Sequence, residues 1–184
     1  MRRLKFYGLG GQGVVTAGKT LSTAVSIYDG KYAITVPAYG HERRGAPVYT
    51  DIVVDEEPIL ANCFVYEPDI VLVMDDSIIE KNVDVAKGKR HDTALVLNTR
   101  NPEVAEMYAN EFGFNKVFYV DATQIAIDCI GREIPNGPML GALAITGIAP
   151  IEAIENALKD IFGERAGEKN AKAARKAYEQ VKEI

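Results

Sequence analysis

Gly8, Gly10, Gly11 and Gly13 fall within six residues, and Gln12 separates the last two. Glycines at this density permit backbone geometries, including φ > 0, that a Cβ would block. Placed just before a helix, such a turn aims free N–H groups at whatever lies above it, which suits an anion. Gly8-x-Gly10-x-x-Gly13 also has the spacing of the dinucleotide fingerprint. That chemistry needs a carboxylate at the end of the second strand to hold ribose hydroxyls. The stretch expected there, Ile34-Thr35-Val36-Pro37, contains no acid. A nicotinamide or flavin site is therefore disfavoured. Two readings stay open: a site for another anion, or a close-packed turn with no ligand.

The second candidate is Pro37-Ala38-Tyr39-Gly40-His41-Glu42-Arg43-Arg44-Gly45-Ala46-Pro47. Its prolines and glycines make it a loop, and Tyr39, Arg43 and Arg44 give it recognition chemistry. Guanidinium groups bind phosphate and carboxylate bidentately. Two adjacent arginines cannot lie flat on one apolar surface, so at least one points outward or pairs with an acid such as Glu42. A solvated surface pair is the plain alternative. A third stretch, Gly13-x4-Gly18-Lys19-Thr20, spells a phosphate-binding loop. Its Lys-Thr, however, falls within an expected helix rather than at the helix start. No serine lies in a nucleophile elbow, and His41 has no nucleophile beside it.

The elements that position these residues follow an α/β pattern. Leu4–Tyr7 reads as a strand and Gln12–Tyr28 as a helix, giving strand, glycine turn and helix in order. Lys31–Val36 reads as a second strand, and Val48–Val54 as a strand with one wet face. Ile70–Met74, Ala94–Leu97 and Val117–Val120 are short apolar runs, as in parallel strands buried on both faces. Asp76 or Ser77 is placed to cap a short helix, and Asn101-Pro102 to start a longer one. Helices are expected over Met139–Thr146, from Pro150 with Gly163 beyond it, and from about Glu168 to Val181. The expectation is an α/β, Rossmann-like three-layer sandwich with a mostly parallel sheet, one domain over residues 1–184. In such a sheet ligands bind at the C-terminal strand edge, where the glycine turn and the arginine loop would lie side by side.

Composition narrows the function. The 184 residues carry a formal net charge of −5, which argues against a general nucleic-acid binder. No apolar run is long enough to span a bilayer, and no hydrophobic region follows Met1-Arg2-Arg3, so a cytoplasmic protein is expected. Cys63 and Cys129 are the two cysteines, too few and too far apart for an iron–sulfur cluster or a structural zinc. Both are expected in the core. His41 and His91 suggest no metal site.

Four stretches taken together are more specific than any one. They are Gly8–Val14, Pro37–Pro47, Gly131-Arg132-Glu133-Ile134-Pro135-Asn136-Gly137-Pro138-Met139-Leu140-Gly141-Ala142-Leu143, and Glu168-Lys169-Asn170. In order and spacing the chain resembles the gamma subunits of 2-oxoacid:ferredoxin oxidoreductases, of the pyruvate or the 2-oxoisovalerate type. Gly137 departs from the family pattern. The resemblance implies a subunit with no catalytic residue of its own. The complex would decarboxylate a 2-oxoacid oxidatively on thiamine diphosphate and pass electrons through [4Fe-4S] clusters to ferredoxin. It would deliver the acyl group to coenzyme A. Thiamine diphosphate and the clusters would belong to alpha, beta and ferredoxin-like delta subunits, with no cofactor resident in this chain. Gly8, Gly10, Gly11, Gln12, Gly13, Tyr39, Arg43 and Arg44 would then contact coenzyme A or a partner subunit. The rival expectations are a stand-alone protein binding NAD(P) or ATP at the glycine turn, and an assembly subunit with no ligand.

Overall fold

The computed structural model describes residues 1–38 and 43–184, so Tyr39 and its neighbours to Glu42 lie outside the described residues. Strand β1 (Arg2–Leu9) runs through the glycine turn into helix α1 (Val14–Thr23), which ends in a wider π turn at Ala24–Tyr28. Strands β2 (Tyr32–Pro37) and β3 (Pro47–Asp55) follow. Then come β4 (Ile70–Val73), a 3-10 turn (Asp76–Lys81), β5 (Ala94–Asn98), α2 (Pro102–Phe112), β6 (Lys116–Val120) and α3 (Ala122–Ile130). The chain closes with α4 (Asn136–Leu143), α5 (Ile151–Gln180) and a short β7 (Lys182–Glu183).

The described strands form one sheet in the order β2-β3-β1-β4-β5-β6-β7. Its centre, β1-β4-β5-β6, is parallel. The flanking pairs β2-β3, β3-β1 and β6-β7 are antiparallel. Alternation along the strands sorts the core. Leu4, Phe6, Ile70, Leu72 and Val96 bury against residues of α1, α3, α4 and α5 on one face. Tyr7, Val71, Val73, Leu95 and Leu97 bury against residues of α2 and the 3-10 turn on the other. This period-two division is what produces the three-layer α/β sandwich expected from the sequence.

Several local expectations need correction. β3 is not half wet: Thr50 to Val54 are all buried. It lies between β2 and β1, with α1 on one face and the segment around Val65 on the other. The cap of the 3-10 turn is Asp75, whose carboxylate accepts from the Ser77 amide at 3.0 Å. Cys63 is exposed rather than buried, because it sits in the irregular segment between β3 and β4. The C-terminal β7 was not expected; it is too short to show a period. Asn101 caps α2 as anticipated, accepting from the Glu103 amide at 2.9 Å.

α5 is a helical hairpin. Gly163, at φ 76° and ψ 177°, breaks it. The second arm folds back so closely that a Cβ on Gly167 would lie 2.5 Å from Lys159 Cα. Arg175 then reaches Glu155 at 2.7 Å and Glu152 at 3.1 Å across the arms. The same arm presses onto α4: a Cβ on Gly137 would lie 2.7 Å from Asn170 Oδ1, and one on Gly141 would overlap the Ala174 carbonyl. At Gly137 the close neighbour is the end of the Asn170 side chain, whereas at Gly141 it is backbone.

Candidate functional site

The glycine turn is held by its own side chain. Gln12 Oε1 accepts from the Leu9 amide at 2.8 Å, and its Nε2 donates to Asp75 Oδ2 at 2.7 Å. This bridge joins the ends of the neighbouring parallel strands β1 and β4. Gly8 lies in β1, where a Cβ would be 2.7 Å from Val14 Cγ2. Gly11 (φ 97°) and Gly13 (φ 78°) take the left-handed geometry that favours glycine. Gly13 is the residue before α1, and no side chain caps that helix. The first amides of α1 therefore keep no partner within the helix.

The arginine loop returns onto this turn. Gly10 donates its N–H to the Ala46 carbonyl at 2.8 Å and accepts from Gly45 N–H at 3.1 Å. A Cβ on Gly10 would overlap the Arg43 carbonyl. The contact comes from the β2–β3 hairpin: β3 runs antiparallel to β1, so its first residue, Pro47, pairs with Leu9. The side-by-side placement expected from the sequence is met by this route, although β2 is not adjacent to β1.

A third stretch closes the site. Gly13 abuts Asn136, so that a Cβ there would overlap the Asn136 side-chain amide. The residues leading to α4 thereby reach the same edge. Together these stretches wall an open hollow of about 860 Å³, lined by Gly10, Gly11, Gly13, Val14, Val15, Thr16, Arg43, Arg44, Val48, Arg132, Glu133 and Ile134, with Leu9. All three arginines are exposed and none is in an ion pair among the described residues. Their charge, the uncapped start of α1 and glycine backbone that admits close approach make one anion-attracting surface. Leu9, Val14, Val48 and Ile134 add an apolar wall.

Of the residues singled out from the sequence, Gly10, Gly11, Gly13, Arg43 and Arg44 line the hollow. Gly8 and Gln12 support it from below, and Tyr39 falls outside the described residues. Arg132 was not among the site residues read from the sequence. The only signal for it was its place in one of the four stretches, which long-range packing brings to the turn.

A family model described as pyruvate ferredoxin/flavodoxin oxidoreductase matches residues 3–180. The chain belongs to this family. The "pyruvate/ketoisovalerate oxidoreductases common subunit gamma" of Pyrococcus abyssi is 43% identical over 182 residues, 98% of this chain and 97% of that one. The solved pyruvate oxidoreductase subunit PORC of Thermotoga maritima is 36% identical, with a TM-score of 0.85, and covers 99% of this chain and 97% of its own. The fold also occurs in a 2-oxoglutarate:ferredoxin oxidoreductase from Magnetococcus marinus, at 20% identity and TM-score 0.71. There 96% of this chain matches 30% of a much longer one. The family resemblance read from four stretches is therefore correct, and the chain is a gamma-type subunit of these oxidoreductases.

The stand-alone nucleotide-binding alternative is not supported, and the geometry explains why. A dinucleotide site needs a parallel strand beside β1 ending in an acid. Here the neighbours of β1 are β3, which is antiparallel, and β4, whose Asp75 is tied to Gln12 and Ser77. The phosphate-loop reading fails as well. Lys19 and Thr20 lie inside α1, and Thr20 is buried, donating to the Thr16 carbonyl at 2.8 Å.

Proposed function

We propose that this chain is the gamma subunit of a complex that oxidises pyruvate, or a close 2-oxoacid, with ferredoxin as electron acceptor. In this reading its hollow receives the phosphorylated part of coenzyme A. The observation that carries it is the convergence of Arg43, Arg44 and Arg132 with the uncapped start of α1 on one amphipathic hollow. Coenzyme A offers phosphates for the cations and an apolar arm for Leu9, Val14 and Ile134. Gly11, where a Cβ would find only the Arg44 side chain at 3.9 Å, leaves room for a phosphate oxygen beside the backbone. A solved neighbour of the same fold, from Magnetococcus marinus, holds coenzyme A and succinyl-CoA.

Residues 1–184 act as one domain in this reading. Alpha, beta and ferredoxin-like delta subunits bring the remaining groups. Thiamine diphosphate supplies the decarboxylation chemistry and [4Fe-4S] clusters take the electrons. Two cysteines support the assignment of clusters to other subunits. The complex is cytoplasmic in this proposal; no helix among the described residues is long and apolar enough to cross a membrane.

The test is Arg43→Ala with Arg44→Ala in the reconstituted complex. The expected result is a KM for coenzyme A raised about tenfold or more, with assembly intact. Loss of assembly alone would assign the loop to subunit contacts. No effect on either would remove it from the site. Tight NAD or ATP binding by the isolated chain, measured by calorimetry, would sink the proposal outright.

A further inference from the structure

The chain between β3 and β4 has a composition that expects burial and does not receive it. Residues 59–66 read Ile-Leu-Ala-Asn-Cys-Phe-Val-Tyr and contain no regular structure up to Val65. Leu60 is 96% exposed, Tyr66 77% and Phe64 50%. From Ile59 to Phe64 no backbone group has a hydrogen-bond partner among the described residues. Large apolar side chains and free backbone groups in one stretch are a combination that isolated chains rarely present.

The segment is nevertheless held at its base. Val65 is buried. Its N–H donates to Asp51 Oδ2 at 3.0 Å, and its carbonyl accepts from Lys5 Nζ at 3.1 Å. Lys5 and Asp51 are themselves paired at 3.0 Å. Gly88 lets the next loop come up against the Tyr66 carbonyl, which a Cβ would overlap. Beside this anchor, Phe64, Val65, Tyr66, Tyr7 and Tyr49 wall a hollow of about 220 Å³ with Lys5 and Lys87. A fixed base with an apolar outer surface is the form of a docking arm.

We propose that residues 59–66 form the arm that docks this chain onto another subunit of its complex, one presenting an apolar groove with a basic rim. The proposal rests on the complex reading above. Glu56, Glu57 and Glu67 flank the arm, all exposed and none in an ion pair among the described residues. Two copies meeting through this arm would bring these like charges together, which disfavours a homodimer. A partner with lysines or arginines around its groove complements them.

Reconstitution with the alpha, beta and delta subunits tests the arm. The neutral variants Leu60→Gln and Tyr66→Gln should leave the melting temperature of the isolated chain unchanged, because both side chains are exposed. Together they should weaken assembly about tenfold or more. Glu56→Gln with Glu67→Gln should reduce the salt dependence of the association rate. Cys63 gives a readout in the unsubstituted chain. It is exposed on the arm, so its alkylation should slow on assembly, with Cys129 as the internal reference. Unchanged affinity of the Gln variants, or unchanged Cys63 alkylation, would overturn the proposal. So would a dimer of the isolated chain that the Gln variants abolish. Failure of the unsubstituted chain to assemble with such subunits would instead remove the proposed function, and this arm with it.

Discussion

Gln12 Nε2 lies 2.7 Å from Asp75 Oδ2, so one side chain ties the glycine turn after β1 to the end of β4. The other end of the same amide accepts from the Leu9 N–H. Gln12→Ala leaves that N–H and one carboxylate oxygen without their partners, in a partly buried position. The expected loss is about 1–3 kcal/mol of stability in urea denaturation. Gln12→Glu keeps an acceptor for Leu9 but sets a carboxylate against Asp75. It should cost at least as much as Gln12→Ala above the range where both acids ionise, and recover in acid. Equal stability of the two variants at all pH values would refute the bridge.

Gly13→Ala tests the joint between the glycine turn and the α4 entrance. The new Cβ needs φ 78°, a region unfavourable by about 1–2 kcal/mol for most residues. It also meets the Asn136 side chain. Asn136→Ala in the same chain removes the overlap but not the backbone term. The double variant should therefore be more stable than the sum of the two single losses predicts. Additive losses in thermal melts would show that the two residues do not press on each other.

Much of this was legible locally. The Asn101 cap, the apolar runs of β4, β5 and β6 and the break at Gly163 announce themselves within a few residues. What was not legible is long-range. Nothing near Val48 says that the segment around Val65 covers the second face of β3, so that face reads as wet. Cys63 reads as core because its neighbours are apolar, yet of residues 59–66 only Val65 is buried. The hollow was half visible: the turn and the arginine loop carry their chemistry openly. Arg132 joins them only because Asn136 packs on Gly13 and Asn170 on Gly137, contacts across 123 and 33 residues of chain.

Gly141→Ala should be far more damaging than Gly137→Ala. At Gly141 the added Cβ meets the Ala174 backbone carbonyl, and only a shift of α5 relieves it. At Gly137 it meets the end of the Asn170 side chain, which can turn away. Overpacking of a close helix contact is worth about 1–3 kcal/mol or more, and Gly141→Ala belongs at the upper end. A smaller loss at Gly141 than at Gly137, measured by chemical denaturation, would contradict the helix contact described.

Buried tyrosines set the alkaline limit of stability. Tyr7 is held protonated well above its ordinary range, first by burial and then by the Asp51 charge. Tyr108 behaves likewise through burial and then Asp76, whose carbonyl also accepts its hydroxyl at 2.8 Å. The unfolded chain releases these protons near pH 10. Above that pH the folded state retains protons that the unfolded state has lost, so each tyrosine's contribution is complete below about pH 10 and declines as pH rises towards its folded value. Stability should therefore be flat through neutral pH and fall in alkali, with tyrosinate absorbance rising as the chain unfolds. Tyr7→Phe should make the alkaline decline shallower by up to about 1.4 kcal/mol per pH unit. An unchanged slope in that variant would mean that Tyr7 ionises equally easily in both states.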